Sequence, residues 1–363
     1  MIRQVIDLGL SCATLWIYLE LVWVFLVSIF YFSIPWIIWG SAVLYLLIRF
    51  AVRIPPPEDK DVKEVLGINP LVFQLQEDGF LREKEQTENY DNQFCIRVVA
   101  HRGLGYDYPE NSMTAFRSSH EKGCDAIEFD LTLTKDNIPI IFHDVTTDRV
   151  CGVDGKIREL TWNELKKLDI STNHPLRVKF PNGEKIALFE EVVEESLSNG
   201  QRMFIDIKAT GHEIIKVVLD AYKKYPKLYQ RAVISSFNPF TIYMIRKKDP
   251  NIVAGLAWRP RMFSLAKYTG IKGASEARYR SYHKHILMSC VDIAHDWALA
   301  HVTYYILGLS FLLLHKDVIS ADAVHTWNQK GIRILAWSVN LPYEKQHFLK
   351  NLRVSYLTDT MLS

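Results

Sequence analysis

The stretch VVAHRGLGYDYPENSMTAFRSSHEKGCDAIEFDLTL, Val98–Leu133, reads as one complete structural unit. Val98–Ala100 is a short β-prone run that ends on a charged pair, His101 and Arg102. A polar loop follows, closed by the turn residues Pro109, Glu110 and Asn111. An amphipathic stretch comes next, with Asn111 or Ser112 as its N-cap and Gly123 just past its end. AIEFDLTL, Ala126–Leu133, is then a second β-rich run carrying Glu128 and Asp130. Strand, helix and strand within on the order of 30 residues is the size of a βαβ crossover.

Working outward, the same alternation recurs. CIRVVA, AIEFDLTL, IPIIFH, RMFIDIK, RAVISSF, NIVAGLAW, LGLSFLLL and IRILAWSVN are strand candidates, and amphipathic stretches such as HEIIKVVLDAYKKYP separate most of them. Eight strands alternating with helices predict an α/β protein, a (β/α)8 TIM barrel; an open doubly wound sheet shares the local pattern.

The 363 residues are 48% hydrophobic and 23% charged, the balance of a folded chain. A net charge of only +2 argues against bulk attraction to nucleic acid, so an anionic partner must be met by a local patch. Cys12, Cys95, Cys124, Cys151 and Cys290 are scattered without a C-x-x-C pair, which reads as free thiols. Before the barrel, Leu21–Ile48 runs without a charge, roughly 42 Å if helical against a hydrocarbon core of about 30 Å. It predicts an N-terminal transmembrane segment, either one tilted span or a short hairpin broken near Ser33–Pro35. Arg49 and Arg53 outnumber Arg3, which favours a cytoplasmic main domain under the positive-inside rule and leaves the sidedness open.

RIPPPEDKD then stops the helix. The expected organisation is a membrane anchor over 1–53, a linker and N-terminal extension over 54–95, and a barrel domain over 96–363. Two insertions interrupt the barrel, at about 145–187 after the third strand and at about 258–306. The second opens with seven Lys or Arg between Trp258 and His285 against the single acid Glu276, interleaved with aromatic residues. The basic run fits a solvated loop or a surface for anionic lipid equally well. The apolar stretch behind it carries His295, Asp296 and His301, which fits a helix on the barrel rim or the bilayer surface better than a span.

Barrel enzymes draw their chemistry from the C-terminal ends of strands. His101-Arg102 follows the first strand, Glu128 and Asp130 lie in the second, His143-Asp144 ends the third, and Asp206 and Lys208 end the fourth. Strand alternation puts Glu128 with Asp130, and Asp206 with Lys208, on common sides. Buried charges at that density need partners or a metal. Oxygen ligands from Glu128, Asp130 and Asp206 suit a hard divalent cation, Mg²⁺ ahead of Ca²⁺. With Arg102 and Lys208 beside it, the site suits a phosphate, and two histidines can act as general base and general acid at phosphorus. Glu110 and Asn111 fit two roles: Asn111 as a helix cap, or the pair as support for His101 or Arg102.

HRG with PEN behind it, IEFDLTLT, IPIIFHD, FIDIK, ISSF and AWSVN together resemble the glycerophosphodiester phosphodiesterase family over about Val98–Thr360. With the apolar N-terminal segment, the chain is most similar to a membrane-anchored subgroup of it. The resemblance implies a TIM barrel, a divalent cation, and release of glycerol 3-phosphate and an alcohol. It implies His101 and His143 as the acid–base pair and Glu128, Asp130 and Asp206 as metal ligands. It further implies Arg102 and Lys208 on the phosphate, Trp337 against the glycerol or the leaving group, and Asp144 in support. Many members carry glutamate where this chain has Asp206, one methylene shorter. Water and the neighbouring glycerol hydroxyl both remain open as nucleophile. The competing expectations are lysophospholipase D-type cleavage of lysophospholipids or N-acyl glycerophosphoethanolamines, and a catalytically silent membrane-bound binding protein. Membrane lipids and a small or lipid phosphodiester are the implied partners, with no nucleic acid.

Overall fold

The computed structural model describes residues 2–71, 94–268 and 275–362. Within the predicted linker and basic run, residues 72–93 and 269–274 lie outside the described residues. The chain divides into two compact units, Met1–Arg53 and Ile54–Ser363.

The first unit is one helix, Ile2–Leu47, continued by a wider turn over Ile48–Val52. The backbone stays helical through Ser33–Pro35, so the hairpin alternative is not what forms. Ala13–Val52 is long and apolar enough to cross a membrane. Its large side chains point outward all round, Trp23 65% and Trp36 78% exposed, a pattern that water does not favour.

The second unit is the barrel. Its strands are β1 (Val98–Ala100), β2 (Ala126–Leu133), β4 (Arg202–Ile207), β5 (Ala232–Ser235), β6 (Gly255–Trp258), β9 (Phe311–His315), β10 (Arg333–Trp337) and β11 (Ser355–Thr358). They pair in parallel in the order β5-β4-β2-β1-β11-β10-β9-β6. A bridge from Ile234 to Ala254 links β5 to the start of β6 and brings the ring round. The remaining strands lie outside the ring: β3 (Pro139–Ile141), and the hairpin of β7 (Leu265–Lys267) with β8 (Glu276–Ala277).

The eight barrel strands are thus not the eight expected. IPII forms β3, antiparallel to β2 with Leu131 opposite Ile141. The reason is reach: the connection Thr134–Ile138 is too short for a parallel crossover, which needs a dozen or more residues. Thr134 N donates to Ile138 O (3.1 Å), and Asn137 takes φ +60 inside that turn. The eighth barrel strand is β11, which sits between β1 and β10 with Leu357 opposite Val99. Asp206 accordingly lies in the third barrel strand, and Trp337 ends the seventh.

Alternation splits each strand between two cores. Val99, Ala126, Phe204, Val233, Phe311, Leu313, Leu335 and Leu357 pack with one another inside the barrel. Ile127, Phe129, Leu131, Ile205 and Ile207 pack outward against helices such as Met113–Glu121 and Phe189–Ser198. Each such buried side chain stabilises by about 1.5–3 kcal/mol. Two residues beyond Ala126 and Phe204 on the inner face come Glu128 and Asp206, then Asp130 and Lys208, so charge begins where the apolar filling ends. The insertion at 145–187 has its own core, in which Val150, Ile157, Leu165 and Ile170 pack on Ile140 of β3.

Candidate active site

At the end of β1 the backbone turns sharply. Arg102 takes φ +50 and Gly103 φ +74. A Cβ on Gly103 would lie 2.7 Å from Ala115 Cβ, so only glycine lets this loop rest on the following helix. Ser112, not Asn111, caps that helix: its Oγ accepts from Ala115 N at 3.1 Å. Asn111 is left to orient the site. Its Nδ2 donates to Asp130 Oδ2 (2.8 Å), and its Oδ1 accepts from Asp130 N (3.3 Å).

Glu128, Asp130 and Asp206 are buried and offer ligand oxygens all within 4.8 Å of one another. The β2–β4 register places Asp130 directly opposite Asp206. Glu128 Oε2 accepts from Arg102 N (2.9 Å), and Asp206 Oδ1 accepts from Ser235 Oγ (2.9 Å). Lys208 Nζ lies 2.5 Å from Asp206 Oδ2 and 3.0 Å from Asp130 Oδ1. Asp130 Oδ1 is buried with this ion pair but no hydrogen bond, and three carboxylates converging within 4.8 Å fit a hard divalent cation.

The electrostatics agree. Burial, then the neighbouring Asp130 charge, pushes Glu128 up to about 7. Burial also acts against the Asp130 charge, but Lys208 and Arg102 outweigh it and hold Asp130 well below the usual carboxylate range. The same carboxylates raise Lys208 and Arg102 despite the cost of burial.

His101 and Arg102 both face this cluster. His101 Nε2 is 3.9 Å from Glu128 Oε2, and Arg102 Nε is 3.3 Å from Asp130 Oδ2. Arg102 Nη1 donates to Glu110 Oε1 (3.0 Å), which gives Glu110 the supporting role. His143 comes from the loop after β3 rather than from a barrel strand. Its Nδ1 is 2.6 Å from Asp144 Oδ1, and Arg149 of the insertion then ties Asp144 (2.5 Å) to both oxygens of Glu110 (2.6 and 2.8 Å). A chain of charges thus joins the two histidine-bearing loops. Trp337 stands apart from it, its ring 5.9 Å from Phe237, above which Lys208 Nζ lies at 5.6 Å. Its Nε1 donates to Leu313 O (3.1 Å), so it packs on the top of the barrel core.

Sequence reasoning missed Arg149 and the two residues that hold His101. Asp359, directly after β11, holds His101 Nδ1 at 2.5 Å. Asn340, after β10, donates from Nδ2 to Asp359 Oδ2 (2.7 Å) and accepts from Asp359 N (2.8 Å). Burial works against charge on His101, but Asp359 and Glu128 outweigh it and raise its pKa. The available signal was an apolar run ending in an acid, YLTD, the pattern of IIFHD. Beside His101, a cleft of about 390 Å³ runs between Tyr106 and Arg102 on the barrel and Asn173 and His174 on the insertion.

Residues 101–361 match the model of the glycerophosphoryl diester phosphodiesterase family. Glycerophosphodiester phosphodiesterase 1 of Bos taurus is 37% identical over 267 residues, covering 74% of this chain and 78% of that protein. Its Homo sapiens counterpart is 34% identical over the same shares. A phosphodiesterase from Oleispira antarctica, solved with the product sn-glycerol-3-phosphate, superposes with a TM-score of 0.54 at 22% identity over 72% of this chain and 92% of that one, a likeness of fold. The barrel order, the carboxylate cluster and the extent of these matches lead to one conclusion: the chain belongs to the glycerophosphoryl diester phosphodiesterase family.

Proposed function

We propose that this enzyme hydrolyses glycerophosphodiesters, such as glycerophosphoinositol, to glycerol 3-phosphate and an alcohol. The observation that carries the reading is the pairing of two histidines, each with a carboxylate on Nδ1, around a buried cluster of three carboxylates and two cations. A carboxylate on Nδ1 fixes the ring and leaves Nε2 for proton transfer. Glu128, Asp130 and Asp206 would hold the cation, Mg²⁺ in preference to Ca²⁺, which supplies Lewis-acid neutralisation of the phosphodiester charge. Arg102 and Lys208 bind the non-bridging oxygens. Of His101 and His143, one takes the nucleophile's proton and the other gives a proton to the leaving oxygen. Trp337 offers an aromatic wall to the apolar edge of the substrate.

The helix Ile2–Leu47 with its continuation is read as an anchor that keeps this site at a membrane. The test of the activity is a panel of glycerophosphoinositol, glycerophosphocholine, glycerophosphoethanolamine and lysophospholipids, assayed after chelation and on restoring Mg²⁺ or Ca²⁺, with Glu128→Ala as control. Turnover of the soluble diesters should vanish on chelation and return best with Mg²⁺. Turnover confined to lysophospholipids would replace the proposal with lysophospholipase D chemistry.

A further inference from the structure

The helix Tyr282–Ala298 has its polar and apolar faces the wrong way round for a barrel helix. Its acids face the protein. Asp292 is buried and accepts from Phe263 N (2.8 Å) and Ser264 N (3.0 Å), and Asp296 accepts from Trp258 Nε1 (2.9 Å). Its large apolar side chains face out: Leu287, on the flank, is 59% exposed, and along one line Tyr282 is 73% exposed, Ile286 44%, Ile293 71% and Trp297 60%. At 100° per residue these four fall within about 60° of one another, a single stripe along the helix. Cys290 lies on the same stripe and is exposed.

Two further observations say what covers the stripe. Arg261, Lys267, Arg278 and Arg280 are exposed on the segment that leads into the helix, with Glu276 as the acid among them. At the other end, the helical run continues to Leu307, and Ile306 O accepts from Ile54 N (2.8 Å). Ile54 directly follows Arg53, where the apolar unit ends. The run is thus tied to the chain at its exit from the proposed anchor.

We propose that Tyr282–Ala298 lies on an anionic phospholipid surface, its apolar stripe in the acyl–headgroup boundary and the basic residues that lead into it, Arg278 and Arg280, on the headgroups. The proposal rests on reading Ile2–Leu47 as an anchor and is independent of the substrate. Trp258, which the helix holds through Asp296, ends β6, so docking sets the rim of the catalytic mouth against the bilayer.

The experiment uses the full chain with Cys12→Ala, reconstituted in vesicles of phosphatidylcholine with or without phosphatidylserine. A fluorescent maleimide selects Cys290, because burial pushes the Cys95, Cys124 and Cys151 thiols up to about 11, 12 and 11. The control carries the label at Glu121→Cys in a Cys12→Ala, Cys290→Ala background. Glu121 ends the helix between β1 and β2, four strands round the ring from Tyr282–Ala298. Spin-labelled lipid should quench the Cys290 probe at least roughly threefold more than the control, with less quenching when phosphatidylserine is left out. Adding Ile293→Asp and Trp297→Asp should bring quenching down to the control level while hydrolysis of a soluble glycerophosphodiester stays unchanged. A chain that fails to float with vesicles overturns the anchor and the docking together. A chain that floats with Cys290 unquenched overturns the docking alone. Equal quenching with and without phosphatidylserine overturns the anionic specificity. Shielding of Cys290 that rises with protein concentration before lipid is added assigns the stripe to a second copy and overturns the proposal.

Discussion

His101 and His143 carry the same arrangement, an imidazole with a carboxylate on Nδ1, on two supports of different rigidity. His101 leaves a barrel strand, its side chain is 15% exposed, and its partner Asp359 comes from the neighbouring strand end and is itself held twice by Asn340. His143 follows a hairpin arm, its side chain is 31% exposed, and its partner is the next residue, Asp144, fastened to the half-exposed Arg149 of the insertion. One pair is fixed by the sheet register, the other by side chains on the rim. In the proposed acid–base chemistry both rings must be in place, and His101 rests on a partner that is itself held twice, whereas His143 is more exposed and depends on a half-exposed arginine.

The largest expected effects ignore that difference. His101→Ala and His143→Ala should each lower kcat on a soluble glycerophosphodiester by about 10²–10⁴-fold, since each would remove one of the two proposed proton carriers. A variant that keeps more than about a tenth of native turnover removes its histidine from the acid–base pair. The next effects should expose the difference. Asp359→Asn should lower kcat by about 10–100-fold with little change in KM, because it strips the charge behind a buried ring. Asp144→Asn should cost less than about tenfold, because His143 is partly solvated and can reorient. Equal losses, or the reverse order, would mean that the two supports are equivalent. Arg149→Gln frees Glu110 and Asp144 without touching either ring, and about a two- to threefold fall in kcat should follow, within the range of an exposed charge network.

How much of this was readable beforehand follows from the same contrast. Where a strand presents a clear apolar run ending in charge, as at VVAHR, AIEFD and FIDIK, the residues and their common face were legible, because alternation fixes which side chains converge. IPII was equally apolar, and composition alone counted it into the barrel. Only the length of the turn before it separates a hairpin arm from a crossover strand. The true eighth strand, SYLT, is four residues long with a polar residue at each end, too short to stand out. Missing it hid Asp359, and with it the reason His101 keeps one orientation. Asn111 was visible as a polar turn residue, but its pairing with Asp130 depends on contacts that no local pattern encodes.

The smallest expected effect tests whether the rim pair also contributes to stability. Burial would raise the Asp144 pKa, but its bonds to His143 and Arg149 outweigh that and bring it to about 2, below the ordinary aspartate value of about 3.9. A carboxyl depressed in the folded state binds its proton more readily when unfolded, so its contribution is complete above about pH 4 and is lost as pH falls toward 2. The melting temperature of the native chain should therefore exceed that of Asp144→Asn by a constant margin between pH 5 and 7, and the margin should shrink as pH falls from about 4 to 3. It should stay small throughout, because Arg149 is half exposed and solvent screens the pair. A margin that persists undiminished at pH 3 would mean that Asp144 acts through packing rather than charge. That result would make the rim as rigid as the barrel and remove the reason to expect Asp144→Asn to be milder than Asp359→Asn.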